Sequence, residues 1–106
     1  YFEKSYDIDV APGTAVANGC FHWQSNGSAN AIASFPAQFR AVKRGNPTIV
    51  IYNPHDGSSG SLRCANGTNQ SAQSYQVGHS GFNFRTTLGA TTNNRYHGHF
   101  TADAEL

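Results

Sequence analysis

The residues in this chain best able to do chemistry are its five histidines: His22, His55, His79, His97 and His99. His97 and His99 stand two apart in a stretch that reads as a strand. Period-two geometry then projects both imidazoles from one face. Two such imidazoles can ligate a metal ion. No acid or cysteine lies near them in sequence, and the other three histidines are far off along the chain. Solvated or interface histidines are therefore the plainer reading, and no metal or other cofactor is expected. Around a threefold axis, a stacked histidine pair would make an assembly pH-sensitive. Nucleophilic catalysis has less support. Gly-Xaa-Ser-Xaa-Gly does not occur, and Ser58-Ser59-Gly60-Ser61 simply follows His55 and Asp56 in a turn-rich segment. A catalytic triad is a spatial arrangement, usually assembled from distant segments. The chain has only six acids, grouped mostly at its two ends, and they offer no convincing pair to flank a glycosidic bond. No glycine-rich phosphate loop is present. The expectation is a protein that is not an enzyme.

Binding has better support than catalysis. Sugars present flat apolar faces that stack on aromatic rings, and hydroxyls that suit Asn, Asp, Gln and Arg. Trp23, Tyr52 and Tyr75 are the candidate platforms. His55 and Asp56 in the 53–60 loop, with Asn66 and Asn69 in the 66–70 loop, are the candidate polar partners. Loops above a rigid scaffold are where function concentrates. The competing reading places Trp23 and Tyr52 in the core or in a subunit interface.

The elements that must position these residues are strands. Alternation of apolar and polar side chains recurs along the chain, and sustained helical periodicity does not. Residues 5–10 alternate Tyr6, Ile8 and Val10 against Asp7 and Asp9, predicting a half-buried strand. Residues 19–25 place Phe21 and Trp23 on one face, and Cys20, His22 and Gln24 on the other. Residues 34–42 set Phe35, Ala37, Phe39 and Ala41 against Gln38, Arg40 and Val42, with Pro36 favouring an edge position or the strand's beginning. Residues 48–52 form the most apolar stretch and the best candidate for a central strand. Residues 61–65 form a short strand. Residues 73–78 and 81–87 look like a hairpin with Phe82, Phe84 and Thr86 on one face. Residues 95–102 close the fold, with Tyr96 and Phe100 opposite His97 and His99.

About eight short strands at such spacing predict an all-β, antiparallel β-sandwich or jelly roll. Residues 1–106 read as a single domain without repeat or linker. The composition agrees. Gly, Ser, Asn and Thr supply 39 residues, charged residues are only 12% of the chain, and Met is absent. No apolar run is long enough for a transmembrane helix, and no signal peptide is visible. A formal net charge of +1 gives no basic footprint for nucleic acid. Aromatic residues are too frequent for a disordered segment. A lone domain of this size hides about two thirds of its unfolded surface, so oligomerisation is a reasonable expectation. Two cysteines make no disulfide framework. Cys64 alternates with Leu62 and reads as a buried free thiol. Three glycosylation sequons, at Asn26, Asn66 and Asn69, are easily matched by chance in so Asn- and Ser-rich a chain.

The opening Tyr1-Phe2-Glu3-Lys4-Ser5-Tyr6-Asp7, followed by Ala11-Pro12-Gly13-Thr14, resembles the last domain of tailed-phage and prophage tail-fibre proteins. So do Phe39-Arg40-Ala41-Val42, Pro47-Thr48-Ile49-Val50-Ile51-Tyr52-Asn53-Pro54 and Gly57-Ser58-Ser59-Gly60. The most specific piece is the closing Tyr96-His97-Gly98-His99-Phe100-Thr101-Ala102-Asp103-Ala104-Glu105-Leu106. Proteins of this kind usually carry Trp where this chain has Phe100. The resemblance spans nearly the whole chain and is weakest in the loops. It implies a C-terminal β-sandwich, a homotrimer, carried at the distal end of a fibre or spike and cut here from a longer protein with upstream fibre domains. It implies receptor binding by non-covalent adsorption to host surface polysaccharide, and a location in the virion after synthesis in the bacterial cytoplasm. Reduced thiols and irrelevant sequons would follow. No binding residues carry over from the family. The alternatives are a structural trimerisation or folding cap, and a carbohydrate-binding module attached to an enzyme. None of these readings involves nucleic acid or membrane insertion.

Overall fold

The computed structural model describes residues 2–24, 31–65, 67–88 and 95–104. These residues form eight strands and no helix: β1 (Phe2–Lys4), β2 (Phe21–Gln24), β3 (Ile32–Gln38), β4 (Thr48–Tyr52), β5 (Ser61–Cys64), β6 (Asn69–Tyr75), β7 (Gly81–Thr87) and β8 (Arg95–Asp103). Every pairing between them is antiparallel.

The organising element is β8. Its nine residues pair along both edges. Thr101 lies opposite both Lys4 of β1 and Val50 of β4. His97 lies opposite both His22 of β2 and Arg63 of β5. From β5 the sheet continues through β6 and β7 to β3. It cannot be flat. Strands spaced about 4.8 Å apart would put β7, three steps away, roughly 14 Å from β8. Yet Phe100 of β8 has its ring centroid 5.1 Å from Phe82 of β7, and Tyr96 of β8 lies 5.5 Å from Phe35 of β3. The sheet therefore curls until its inner face packs on itself. That inner face is aromatic: Phe35, Phe82, Phe84, Tyr96 and Phe100 are buried around Leu62, Ile51 and Cys64. Each such side chain contributes about 1.5–3 kcal/mol on leaving water. Gly98 is required at the closest approach. A Cβ there would run into Leu62 Cδ2 and sit 3.5 Å from Phe84 and 3.7 Å from Trp23.

Period-two patterning was a sound guide to which way side chains face. Phe35, Ala37 and Phe39 are buried while Pro36, Gln38 and Arg40 are exposed, and β3, which carries Pro36, ends the sheet path. The β6–β7 hairpin buries Phe82, Phe84 and Thr86 as expected. Cys64 is buried and Cys20 half-buried, and both are free thiols.

Besides two shifted bounds (β3 ends at Gln38 rather than 42, and β6 begins at Asn69, inside the expected 66–70 loop), two expectations need correction. Residues 5–10 are not a strand, and Ile8 is 96% exposed. After Lys4 one more backbone–backbone bond, from Ser5 N–H to the Phe100 carbonyl, continues the pairing with β8. The chain then leaves, and β2 resumes pairing with β8 at Phe21–Gly98. Residues 5–20 are thus an excursion between β1 and β2, held by the Lys4 ammonium donating to the carbonyls of Ile8 and Val10. Alternation alone cannot distinguish a paired strand from such a loop. The second correction concerns β4. Among the described strands it pairs with β8 alone, and β8 occupies the centre instead. The apolarity of β4 buries Ile51 fully but leaves Ile49 and Val50 half-exposed.

A buried ion pair secures β1. Glu3 Oε1 lies 2.7 Å from Lys43 Nζ, with the two side chains 7% and 0% exposed. The Glu3 carboxylate also accepts the Arg40 N–H, and Lys43 donates to the Ala41 carbonyl.

Candidate functional site

The excursion 5–20 lies over His99 of β8 and buries it completely. The His99 ring stacks on Tyr6 with centroids 3.8 Å apart. Its Nε2 is 2.9 Å from the Val16 carbonyl and its Nδ1 is 2.8 Å from Ser5 Oγ. A carbonyl only accepts, so Nε2 carries the proton and Nδ1 accepts from the Ser5 hydroxyl. Ser5 Oγ in turn accepts the Phe100 N–H at 2.9 Å. Serine beside histidine suggests a nucleophile and base, but both groups are buried and their hydrogen bonds satisfied. This pair holds the excursion down. Burial pushes the His99 imidazole below its ordinary value, against opposing contributions from the Val16 bond and Asp7.

His97 points to the same side of β8 as His99 but has different neighbours. It faces His22 across the strand pair, with ring centroids 4.3 Å apart. Cys20, at the end of the excursion, places its Sγ 3.2 Å from His22 Nε2. Ligand atoms of Cys20, His22 and His97 all lie within 4.8 Å of one another. Gly19 makes this possible. It has φ +80°, and a Cβ there would come 2.6 Å from the Ser5 carbonyl, so only glycine turns the chain close enough for Cys20 to reach β2. Burial pushes the Cys20 thiol up. Burial first, then the charges of His22, Arg95 and Arg63, pushes His97 down. Beside His97 opens a trough of about 290 Å³ lined by Ala15, Ala17, Pro54, His55, Arg63 and His97. The structure therefore does not bring His97 and His99 together as a ligand pair. It brings His97 to Cys20 and His22, a cluster the sequence hinted at only by placing Cys20 and His22 on one face.

The loop candidates form a network of their own. Asn53 is fully buried. Its Oδ1 accepts the His55 N–H at 2.8 Å, and its Nδ2 donates to Ser61 Oγ and Asn69 Oδ1. Asp56 Oδ1 accepts both the N–H and the hydroxyl of Ser58, which hold its carboxyl below the usual carboxylate range. Arg63 Nη1 donates to Asn69 Oδ1 at 3.2 Å. Asp56 thus has its partner within its own loop, whereas Asn69, which opens β6 rather than lying in a 66–70 loop, is held by Asn53 and by Arg63 of β5. Asn66 lies outside the described residues.

The three aromatic candidates part company. Trp23 is half-buried against the core, stacked on Phe35 at 5.2 Å and tilted against Phe84 at 4.6 Å, with its indole N–H donating to the Pro36 carbonyl. Tyr52 is half-buried and meets Tyr6 edge-on at 6.0 Å. Tyr75 is 40% exposed. It stands on the outer face of the β6–β7–β3 sheet, with the Arg85 guanidinium 4.7 Å over its ring. Gln73 pairs with Arg85, Ser34 flanks Arg85 on β3, and Asn83 lies opposite Tyr75. A shallow depression of about 340 Å³ runs along this face, lined by Ile32, Ser71, Ala72, Gln73, Arg85, Thr86 and Thr87. Apart from Arg85 the lining is uncharged.

No protein-family model, curated protein or solved structure matches this chain.

Proposed function

We propose that the domain is a non-catalytic receptor-binding tip of a phage tail fibre or spike, which adsorbs to host surface glycan through the outer face of the β6–β7–β3 sheet. The observation that carries this reading is the exposed Tyr75–Arg85 pair beside a shallow, mostly uncharged depression. An aromatic ring supplies stacking for a sugar face, and Arg85, Gln73, Asn83 and Ser34 supply hydrogen-bonding groups. Arg fixed over a ring loses less freedom on binding than a free side chain. The tail-fibre-like phrases at both ends of the sequence support the same reading, as does an all-β fold of antiparallel strands in a curled sheet. Such a face binds each saccharide weakly, and a homotrimer displaying three copies gains avidity on a repetitive polysaccharide.

The experiment is glycan-array binding by the domain, with Tyr75→Ala and Arg85→Ala beside the parent. Binding lost in both variants, with folding intact by circular dichroism, is the expected outcome. Undiminished binding in both would refute the assignment of the face. A second reading, a trimerisation cap, is favoured by Phe2 at 55% and Ile8 at 96% exposure around a trough of about 360 Å³. A confirmed trimer that binds no glycan on the array would favour it.

A further inference from the structure

We propose that Cys20, His22 and His97 form a binding site for a borderline-soft divalent cation of the zinc class. The proposal is independent of glycan binding. One thiolate and two imidazoles are the donor set that zinc prefers over magnesium or calcium, which take oxygen. Zn–S bonds of about 2.3 Å and Zn–N bonds of about 2.0–2.1 Å put tetrahedral ligand atoms roughly 3.4–3.6 Å apart. The three side chains already hold their ligand atoms within 4.8 Å, with Sγ and Nε2 of the first two at 3.2 Å. Small side-chain rotations close the site.

Its supports are rigid. His22 and His97 are directly opposed in the β2–β8 register, and Cys20 is fixed by the glycine turn before it and by its own N–H to the Ala17 carbonyl. Three protein ligands leave one position open. Such an open position is the arrangement of metal sites that take a water or an exogenous donor. On binding, the Cys20 thiol gives its proton to solvent as the S–metal bond forms. His22 and His97 donate lone pairs as neutral rings, and the metal keeps its oxidation state. The thiolate charge also offsets Arg63 and Arg95, whose positive charges bear on His97.

The test is titration of the whole chain, reduced, free of any histidine tag and stripped with chelator, with Zn²⁺ by calorimetry and with Co²⁺ by absorption. The expected result is saturable uptake of one ion per chain, with a thiolate-to-cobalt charge-transfer band. Cys20→Ser abolishes that band, and Cys20→Ser and His22→Ala each weaken Zn²⁺ binding by about tenfold or more. His97→Ala does the same. His22 is exposed, so its variant tests the site even where His97→Ala fails to fold. Cys64→Ser and His79→Ala leave affinity unchanged. No saturable uptake, a cobalt band that survives Cys20→Ser, or a tenfold loss on His79→Ala would overturn the assignment.

Discussion

Removing one partner of the Glu3–Lys43 pair should be among the most damaging single changes to this fold, and removing both should be nearly harmless. Lys43→Met leaves the Glu3 carboxylate buried, with the Arg40 N–H as its donor among the described residues in place of a 2.7 Å ammonium contact. Glu3→Leu takes the 2.7 Å carboxylate contact away from a Lys43 ammonium whose side chain is 0% exposed and which also donates to the Ala41 carbonyl and lies 4.7 Å over the Phe39 ring. Breaking a buried ion pair by removing one partner costs about 3–5 kcal/mol. A domain of this length has a total stability of about 5–15 kcal/mol, so each single variant loses a large share of it. At about 4–8 °C per kcal/mol, the melting temperature falls by roughly 12 °C or more. The double variant Glu3→Leu/Lys43→Met replaces the pair with apolar groups and should come within about 1 kcal/mol of the parent. The assay is urea unfolding of all four proteins at one protein concentration, so that any oligomer contributes equally. Midpoints should shift with little change in slope, and the cycle should show coupling of at least about 3 kcal/mol. Singles that each cost less than about 1 kcal/mol, or a double variant equal to their sum, would show that the pair is not a buried and mutually dependent unit.

Other outcomes follow from single contacts. Gly98→Ala drives a Cβ against Leu62 in a packed core and should cost about 1–3 kcal/mol by overpacking; thermal melts of this change in the parent and in a Leu62→Ala background check it, since Leu62→Ala, although costly by itself, should make Gly98→Ala cost less. Gly57 has φ +78°, and a Cβ there meets the Gly13 carbonyl, so Gly57→Ala should destabilise by more than about 1 kcal/mol, as read by urea midpoint. His99 is held neutral, with its folded-state pKa below that of the unfolded chain. In metal-free buffer, stability should therefore be flat above the unfolded value near 6.5 and fall as pH drops below it, because the unfolded state binds the proton first. A denaturation series across that range measures it, and imidazole NMR shifts should titrate below the free-histidine midpoint; a stability that rises on acidification contradicts the neutral assignment. Trp23→Ala should cost about 1–3 kcal/mol, as loss of a half-buried ring packed on Phe35 and Phe84 does, a loss that calorimetric melts would register and a mere surface platform would not show.

The sequence by itself determined which way side chains face. Period two is a local property of extended backbone, so the inward sets Phe35/Ala37/Phe39 and Phe82/Phe84/Thr86 were legible, as were the β6–β7 hairpin and the edge position of Pro36. A placement of Cys20 and His22 on one face was legible for the same reason. What each strand lies beside is not local. Only the tertiary structure made β8 the hub, reduced β4 to one partner strand, and turned residues 5–10 into an excursion with Ile8 in solvent. The same non-local choice buried His99 under Tyr6 and set His97 opposite His22. Two histidines that share a face along a strand were thereby separated into a structural network and a cluster with Cys20. Cross-strand register depends on which distant segments close together, and alternation constrains that register only to a face, never to a partner.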